Sequence, residues 1–492
     1  MPPIVDEIYD EFFAFVKSEC ERLFVPISCD ADTSVEAWLE GTPYPLWRKQ
    51  DLYAAFERAG GRECIINKRD NYGRKEYLKL KCFMKDETYP EYKHARAINS
   101  RSDEFKCLVG PLQQLCNDKL FERPEFIKKV PVHLRPDKMM QDLYLVGESI
   151  RSTDYSAFEA TFVKRLMKVS NWFQRYLTKE LPDGGWWADI IEEAEQGDNF
   201  CRFKEFIISV EAKRMSGEMD TSFSNGFMNW MFVTFWAKKT GNRVTTEIEG
   251  DDGNPLFTPL QVGTRTSPPT REHFAQLGAE IKIEAAAVLE ESSFCGQVFD
   301  NEERLNVMDP REVLATFAYT SVRYVKAGLN KKKTLLRCKS LSLAYQYPGC
   351  PIISALARYG LRVTRSMDVR HTIENWQNMW EREQMLEALK HPILDIEVGE
   401  RTRMLVDKLF HISPEIQRNI ESYLDSKNDM LPLSLTDLTI IMPVVWGDYF
   451  DRYASDSDTE FPAQFWNVCA AYSKTVPFRM APMGVSRKVK GD

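Results

Sequence analysis

The stretch 243–259, RVTTEIEGDDGNPLFTP, narrows the folds open to this chain more than any other segment. β-Branched residues lead into a turn rich in Gly and Asp, and a short apolar run leads out of it. That pattern predicts a β-hairpin with an Asp-Gly step at its tip. The residues just before it, 219–239, predict a helix stopped by Thr240-Gly241-Asn242. Within that helix FMNWMFVTFWA, 227–237, is apolar on nearly every side. It is shorter than the roughly 18 apolar residues a membrane span needs, and it carries Asn229, so it reads as a buried helix. A buried helix feeding a hairpin calls for a sheet with a helix packed on it.

The chain has 492 residues and a net charge of −8, with 43% hydrophobic and 28% charged residues. Such a composition excludes a disordered chain, a collagen-like repeat and a membrane-spanning bundle. The length predicts two or three lobes. The 11 cysteines are scattered without a CxxC pair and read as reduced cytosolic thiols. Neither they nor the six histidines show metal-ligand spacing. The acidic N-terminus, MPPIVDEIYDEFFAFVKSEC, has no signal-peptide layout. P-loop, GxGxxG and HExxH motifs are absent, which argues against an ordinary NTPase or helicase. Charge is segregated, with +4 in residues 61–110 and +10 in residues 321–365, leaving −22 elsewhere. The second block interleaves Tyr319, Tyr324, Tyr345, Tyr347 and Tyr359 with its cations. Solvated faces explain either block alone, whereas together they suit a polyanion held in a local channel.

Along the chain, the first 60 residues read as helical and residues 62–146 as short strands and loops. DLYLVGES, 142–149, is strand-like, and TDYSAFEATFVKRLMKVSNWFQRYL turns helical after Ala157. Pro182, Gly184 and Gly185 predict a break. TREHFAQLG reads as a short helix, and IKIE and FCGQVF as short strands. From about residue 303 the pattern is mostly helical, with loops expected at 331–333 and near 455–458.

Asp154 ends a predicted strand, and Asp251 and Asp252 sit at the hairpin tip. Neighbouring strands could place these carboxylates together, and hard oxygen donors suit Mg²⁺ or Mn²⁺. Two such ions can clamp an in-line phosphoryl displacement. Each feature also has a plainer explanation, since aspartates form turns and cap helices. Between them lies SGEMDTSFSN, 216–225, in which Thr221 and Asn225 share one helical face. Small polar groups there could bond a sugar hydroxyl, or Ser216 could simply cap the helix.

Asp154 in TDYSAFE, then SGEMDTSFSN, then EGDDG together resemble motifs A, B and C of viral RNA-dependent RNA polymerases, in the usual order. FMKDETYPEYKHARAINSRS looks like motif F of positive-strand RNA virus enzymes, LGAEIKIE like motif D and FCGQVF like motif E. The likeness spans about residues 85–299, with a tombusvirus- and nodavirus-like flavour in SGEMDTSFSN and RAINSRS. It implies an α/β (α+β) right hand with fingers, an antiparallel palm sheet flanked by helices, and a mostly helical thumb. The implied division is fingers and extension over 1–146, palm over 147–170, a fingers insertion over 171–213, palm over 214–302, and thumb and tail over 303–492.

The resemblance implies that Asp154 and Asp251 hold two catalytic Mg²⁺ ions, replaceable by Mn²⁺, with Asp252 in support. Ser216, Gly217, Thr221 and Asn225 would read the incoming ribose and position the template, and Lys85, Lys93, Arg96 and Arg101 would meet the triphosphate. Lys282 would donate a proton to pyrophosphate, although its alternation with Ile281 and Ile283 equally suits a solvent-facing strand residue. Phe294, Cys295 and Gly296 would grip the growing strand. The implied partners are RNA template and product, NTPs and other replicase proteins, in membrane-associated complexes of the host cytoplasm, with no membrane span in this chain. KKKTLLRCKS and SALARYGLRVTR would suit a duplex exit.

The family often has a second aspartate five positions after the first in motif A, and here Glu159 stands there. Glu159 and Asn225 together are expected to favour ribonucleotides. Two other readings stay open. One is a reverse transcriptase, against which Gly250 before the two aspartates argues. The other is a non-enzymatic RNA-binding replicase component with a decayed palm, against which the retained acids argue.

Overall fold

A computed structural model describes residues 1–72, 79–85, 92–144, 150–261, 263–317, 320, 324, 326–376, 378–431, 433–446, 454–455 and 485–486. It divides into two compact units: Met1–Lys85, Arg96–Pro131 and Asp137–Cys295 form the first, and Asp86–Ala95, Val132–Pro136 and Gly296–Asp492 the second. The fold is mixed α/β with antiparallel sheets.

The first unit opens with helices α1 (Asp6–Leu23), α2 (Val35–Gly41), α3 (Leu46–Arg58) and α4 (Gly61–Tyr72). Strands β1 (Lys79–Met84) and β2 (Ala97–Ser100) precede α5 (Asp103–Phe121) and α6 (Arg135–Leu143). Then come β3 (Ile150–Tyr155), α7 (Phe158–Thr161), α8 (Lys164–Thr178), α9 (Gly184–Gln196), β4 (Asp198–Arg202) and β5 (Ile207–Glu211). The buried helix is α10 (Thr221–Lys239), and the hairpin is β6 (Asn242–Glu249) with β7 (Asp252–Pro259), followed by α11 (Arg271–Ala275) and β8 (Ile281–Ala286).

Four strands form an antiparallel sheet in the order β6-β7-β3-β8. A second sheet has the order β2-β1-β4-β5, in which only β1 and β4 run parallel. The core of this unit is aromatic. Phe173 on α8 stacks on Phe227 of α10 at 4.2 Å, and Phe12 of α1 meets Phe232 at 5.2 Å. Each fully buried phenylalanine removes enough apolar surface from water to contribute about 2–3 kcal/mol. The all-round apolarity of α10 follows from its place, because it is packed by helices and by the sheet.

Several local expectations need correction. The described part of 62–146 holds the expected short strands β1 and β2, and also the helices α4, α5 and α6, which were not expected. α5 runs through Gly110 and Pro111, two residues that disfavour a helix interior. A Cβ at Gly110 would lie 2.4 Å from the Trp38 indole, so glycine is there for close packing, and Ser102 caps the helix by accepting from the Phe105 N–H at 3.2 Å. The break at Pro182 ends before Gly184, which opens α9; a Cβ there would sit 1.8 Å from the Thr178 carbonyl oxygen. In DLYLVGES, residues 142–143 end α6, and 145–149 lie outside the described residues; the strand starts at Ile150.

The second unit holds β9 (Val298–Phe299), β10 (Asn306–Val307), α12 (Pro310–Phe317), α13 (Leu329–Gln346), α14 (Ile353–Val363), α15 (Arg370–Glu374), α16 (Met379–Lys390), α17 (Glu400–Phe410), α18 (Pro414–Ser426) and α19 (Thr436–Ile441). Short strands β11 (Ala454–Ser455) and β12 (Val485–Ser486) pair near the end. FCGQVF keeps only its last two residues as strand, because Cys295 and Gly296 turn the chain with φ of +52° and +74°. Lys331–Lys333 stand in the first turns of α13 rather than in a loop. Residues 456–458 and Tyr319 lie outside the described residues.

The basic block at 321–365 is less of an open channel wall than its charge suggests. Lys332 is buried, and Lys339 is half-buried with its ammonium on the Thr316 carbonyl, a setting that lowers its pKa to about 8 through desolvation. Arg337 donates to the Leu361 carbonyl at 3.1 Å, and Arg362 donates to the Leu424 and Lys427 carbonyls at the end of α18. Much of this charge therefore caps helix ends inside its own unit.

Candidate functional site

The central strand of the first sheet is β3, between β7 and β8. Its side chains alternate faces. Thr153 and Tyr155 are buried, while Asp154 is exposed between them. On one side Thr153 pairs with Gly253, and on the other Asp154 pairs with Lys282. Residues nearly 100 apart in sequence are thereby one strand apart in space.

The β6–β7 turn is a two-residue loop, Gly250-Asp251, closed by the pair Glu249–Asp252. Gly250 has φ +63° with open space where a Cβ would be, so it is required by the backbone conformation of the tight turn. Gly253 is required for a different reason. A Cβ there would come within 2.8 Å of the Thr153 hydroxyl, which donates to the Gly253 carbonyl at 3.0 Å and ties β3 to β7.

Under the turn lies Asn229 of α10, fully buried. Its Nδ2 faces the carbonyl oxygens of Gly250, Asp251 and Asp252 at 3.1, 3.1 and 3.2 Å, and its Oδ1 accepts from the Tyr155 hydroxyl at 3.3 Å. One amide thus fastens the acidic turn to α10 and to β3. Sequence reasoning missed this role and treated Asn229 only as an interruption of an apolar run. The signal was available, since a lone amide in an otherwise apolar buried helix needs partners.

Charge crowds at these strand ends. Burial raises the pKa of Asp251, with further upward pressure from Glu159 and Asp154, partly offset by Arg96. Burial and then Asp251 push Asp252 up to about 6, although a hydrogen bond from Cys295 acts the other way. Repelling carboxyls that are half removed from water suit a divalent cation in donor chemistry. Among the described residues, however, no three His, Cys, Asp or Glu side chains are gathered closely enough to hold an ion. The expected convergence is therefore one of neighbouring strand ends, not of a closed ligand cage.

A cation held at Asp252 would have to displace its proton at pH values below its pKa. Mn²⁺ affinity, read by the thermal shift of the protein, is expected to fall about tenfold between roughly pH 7 and pH 5 and to level off above about 6.5. Asp252→Asn should flatten that dependence, and an equally steep profile in the variant would refute the assignment. The proton-linked sign for the ion-free protein is opposite. The folded state binds the extra proton between the unfolded pKa of about 4 and the folded value, so stability falls as pH rises through that window.

At the start of α10 the segment 216–225 is stitched to the second sheet. Ser216 does not cap the helix; the N-cap is Asp220. The Ser216 carbonyl accepts from the Asn99 N–H at 2.8 Å, and Gly217, with φ +97°, lies where a Cβ would touch Ile98 at 2.8 Å. The Thr221 hydroxyl donates to the Met215 carbonyl at 2.9 Å, so it closes this loop. Asn225 is buried and donates to the Glu159 carboxylate at 3.2 Å, bringing together two residues that are 66 apart in sequence.

Of the expected triphosphate contacts, Lys85 and Arg96 are exposed, and the Lys85 N–H donates to the Arg96 carbonyl at 2.8 Å where β1 and β2 end. Arg101 departs from that expectation. It is 4% exposed, pairs with Glu218 at 2.5 Å and donates to Asn199 Oδ1 at 2.8 Å and to the Ala194 carbonyl at 3.1 Å. Here it anchors the 216–218 loop. Lys93 belongs to the second unit, where Glu312 feels its charge. Lys282 is exposed, and its pKa is raised first by the hydrogen bond to Glu284, which lies 2.7 Å away on the same strand face. Phe294 is buried, and Cys295 is an exposed turn residue beside Asp252.

No helix among the described residues is long and apolar enough to cross a membrane. Residues 195–429 match the family model described as viral RNA dependent RNA polymerase. The matched region takes in the 216–225 segment and the acidic turn, and it starts after Asp154 and Glu159. The chain is also similar to the RNA-directed RNA polymerase of maize chlorotic mottle virus, 25% identical over 260 residues, covering 50% of this chain and 25% of that relative. The chain thus spans about a quarter of the length of that relative. Over residues 195–429 the chain is thus similar to the viral RNA-dependent RNA polymerase family, and strand pairing joins Asp154 to the acidic turn inside that matched region.

Proposed function

We propose that this chain is a template-directed RNA polymerase that adds ribonucleoside monophosphates to a growing RNA, in the service of viral genome replication. The observation that carries this reading is the antiparallel pairing that sets Asp154 on the strand next to the Asp251-Asp252 turn. Asp154 and Asp251 would hold divalent ions, with Asp252 in support. When bound, Mg²⁺ or its substitute Mn²⁺ activates the attacking hydroxyl and neutralises the leaving pyrophosphate.

The chain's own residues do the rest. Asn229 holds the turn so that its carboxylates stay at the strand ends. Glu159 and Asn225 form a hydrogen-bonded pair beside the same ends and would receive the ribose 2′-hydroxyl. Lys85 and Arg96 would bind phosphate oxygens, for which ammonium and guanidinium groups are natural donors. Lys282, across from Asp154, keeps its proton and would pass it to the departing pyrophosphate.

In this reading the first sheet, with α10 behind it, is the palm, the second sheet belongs to the fingers, and residues from about 303 form the thumb. RNA and NTPs are the substrates, other replicase proteins are partners, and the work takes place at host cytoplasmic membranes. The Glu159–Asn225 pair favours a ribonucleotide enzyme over a reverse transcriptase. The deciding experiment is Mg²⁺- or Mn²⁺-dependent incorporation of labelled UTP on poly(A). A well-folded preparation that incorporates nothing with either ion would leave the RNA-binding, non-enzymatic reading in its place.

A further inference from the structure

Behind the Glu159–Asn225 pair lies a fully buried arginine that the mechanism above does not use. Arg214 is 3% exposed. Its Nη1 donates to Asn225 Oδ1 at 3.1 Å, its Nη2 donates to the Ser170 hydroxyl at 2.9 Å, and its guanidinium lies over the Phe162 ring at 3.9 Å. Ser170 is on α8, Phe162 lies between α7 and α8, and Asn225 is on α10, so the head group is held from several directions. Glu195 and Asp220 face it, and burial and then Asp220 hold the Glu195 carboxyl well above the usual carboxylate range. Burial of this size is costly for a cation, and here both Nη groups are matched while Nε finds no hydrogen-bond partner among the described residues.

The chemistry of the contact decides what Arg214 can do. A guanidinium only donates, so the carbonyl end of the Asn225 amide must face it. The amide nitrogen is then left to donate to the Glu159 carboxyl oxygen. A chain of bonds runs from Arg214 through the Asn225 amide to the Glu159 carboxylate, with every donor and acceptor fixed in direction. Without Arg214, the amide could turn over and set its oxygen against the carboxylate, where the two would repel.

We propose that Arg214 is a positioning residue for sugar selection: it locks the Asn225 amide in the one orientation that pairs with Glu159, and so sets the preference for ribonucleotides over deoxyribonucleotides. The inference rests on the polymerase reading given above. It explains how a glutamate, one methylene longer than aspartate, is held to a defined geometry at this position.

The test compares UTP and dUTP incorporation on poly(A) by the full chain, as the ratio of their kcat/KM values. Arg214→Met and Arg214→Lys are each expected to lower that ratio about tenfold, as befits loss of a hydrogen bond from a charged group. The loss should fall on KM for UTP more than on kcat, whereas a merely structural defect would lower kcat for both nucleotides alike. In an Asn225→Ala background, Arg214→Lys should add no further loss of discrimination, because the two act through one contact. Arg214→Lys keeps the charge opposite Glu195 and Asp220, so it decides the matter where Arg214→Met does not fold. An unchanged ratio in an active Arg214→Lys protein, or equal losses of kcat for UTP and dUTP, would overturn the role of Arg214 alone. No UTP incorporation by the unaltered chain would overturn the polymerase reading and this proposal with it.

Discussion

Asp251→Ala and Asp154→Ala are each expected to lower nucleotide incorporation by about 10³-fold or more while the protein stays folded. The two residues come from different strands, and the register that aligns β3 with β7 puts them at neighbouring ends of one sheet. If both hold the same ions, either loss removes the charge that keeps those ions in place. The stability outcome separates this from a folding defect. Asp251 is pushed up in pKa by burial and by the nearby Glu159 and Asp154, so its charge disfavours the folded state. Thermal melts of Asp251→Ala in EDTA should therefore be unchanged or slightly higher. Its melting temperature should also lose the rise that Mn²⁺ gives the unaltered chain. Incorporation that survives either substitution at near-normal rate would end the assignment of these acids.

Asn229→Leu should destabilise the protein by about 2–4 kcal/mol, and its chemical denaturation midpoint is the measurement. Leucine nearly matches asparagine in size, so loss of volume is not the cause. The substitution leaves three turn carbonyls and the Tyr155 hydroxyl facing a side chain that cannot bond them. Tyr155 is itself fully buried, so water cannot easily take the place of the amide. An incorporation loss larger than the stability change accounts for, assayed well below the melting temperature, is expected as well, because the turn carries Asp251. A variant as stable as the parent would show that the amide contributes no net stabilisation at the turn.

The hairpin and the helix before it were legible because each rests on local chemistry. Gly250 permits the tight turn, β-branched residues favour the strand, and Gly241 ends α10 with φ +74°. Asp154 stands near a strand end and helix follows Ala157 as expected, although the strand starts at Ile150 rather than in DLYLVGES and the helix is interrupted at 162–163. Local chemistry also misled. Residues 62–146 read as short strands and loops, yet α5 runs through Gly110 and Pro111, and the Trp38 ring that needs the glycine is more than 70 residues away. Lys331–Lys333 suggest a solvated loop, yet they begin a helix whose Lys332 is buried. Arg101 looks like a phosphate ligand until its partner Glu218 is known.

By itself, the sequence determined the kinds of chemistry present: paired acids at a turn, hard oxygen donors at a strand end, small polar groups at a helix start, and a buried helix to support them. Those follow from residue type and spacing over a few neighbours. Only the tertiary structure decided which of these groups meet. Sheet order put Asp154 beside the turn, and the packing of α10 put Asn229 beneath it and Asn225 between Arg214 and Glu159. Pairing across 66 or 100 residues is set by which apolar faces can be buried together, and that is a property of the whole chain rather than of any segment.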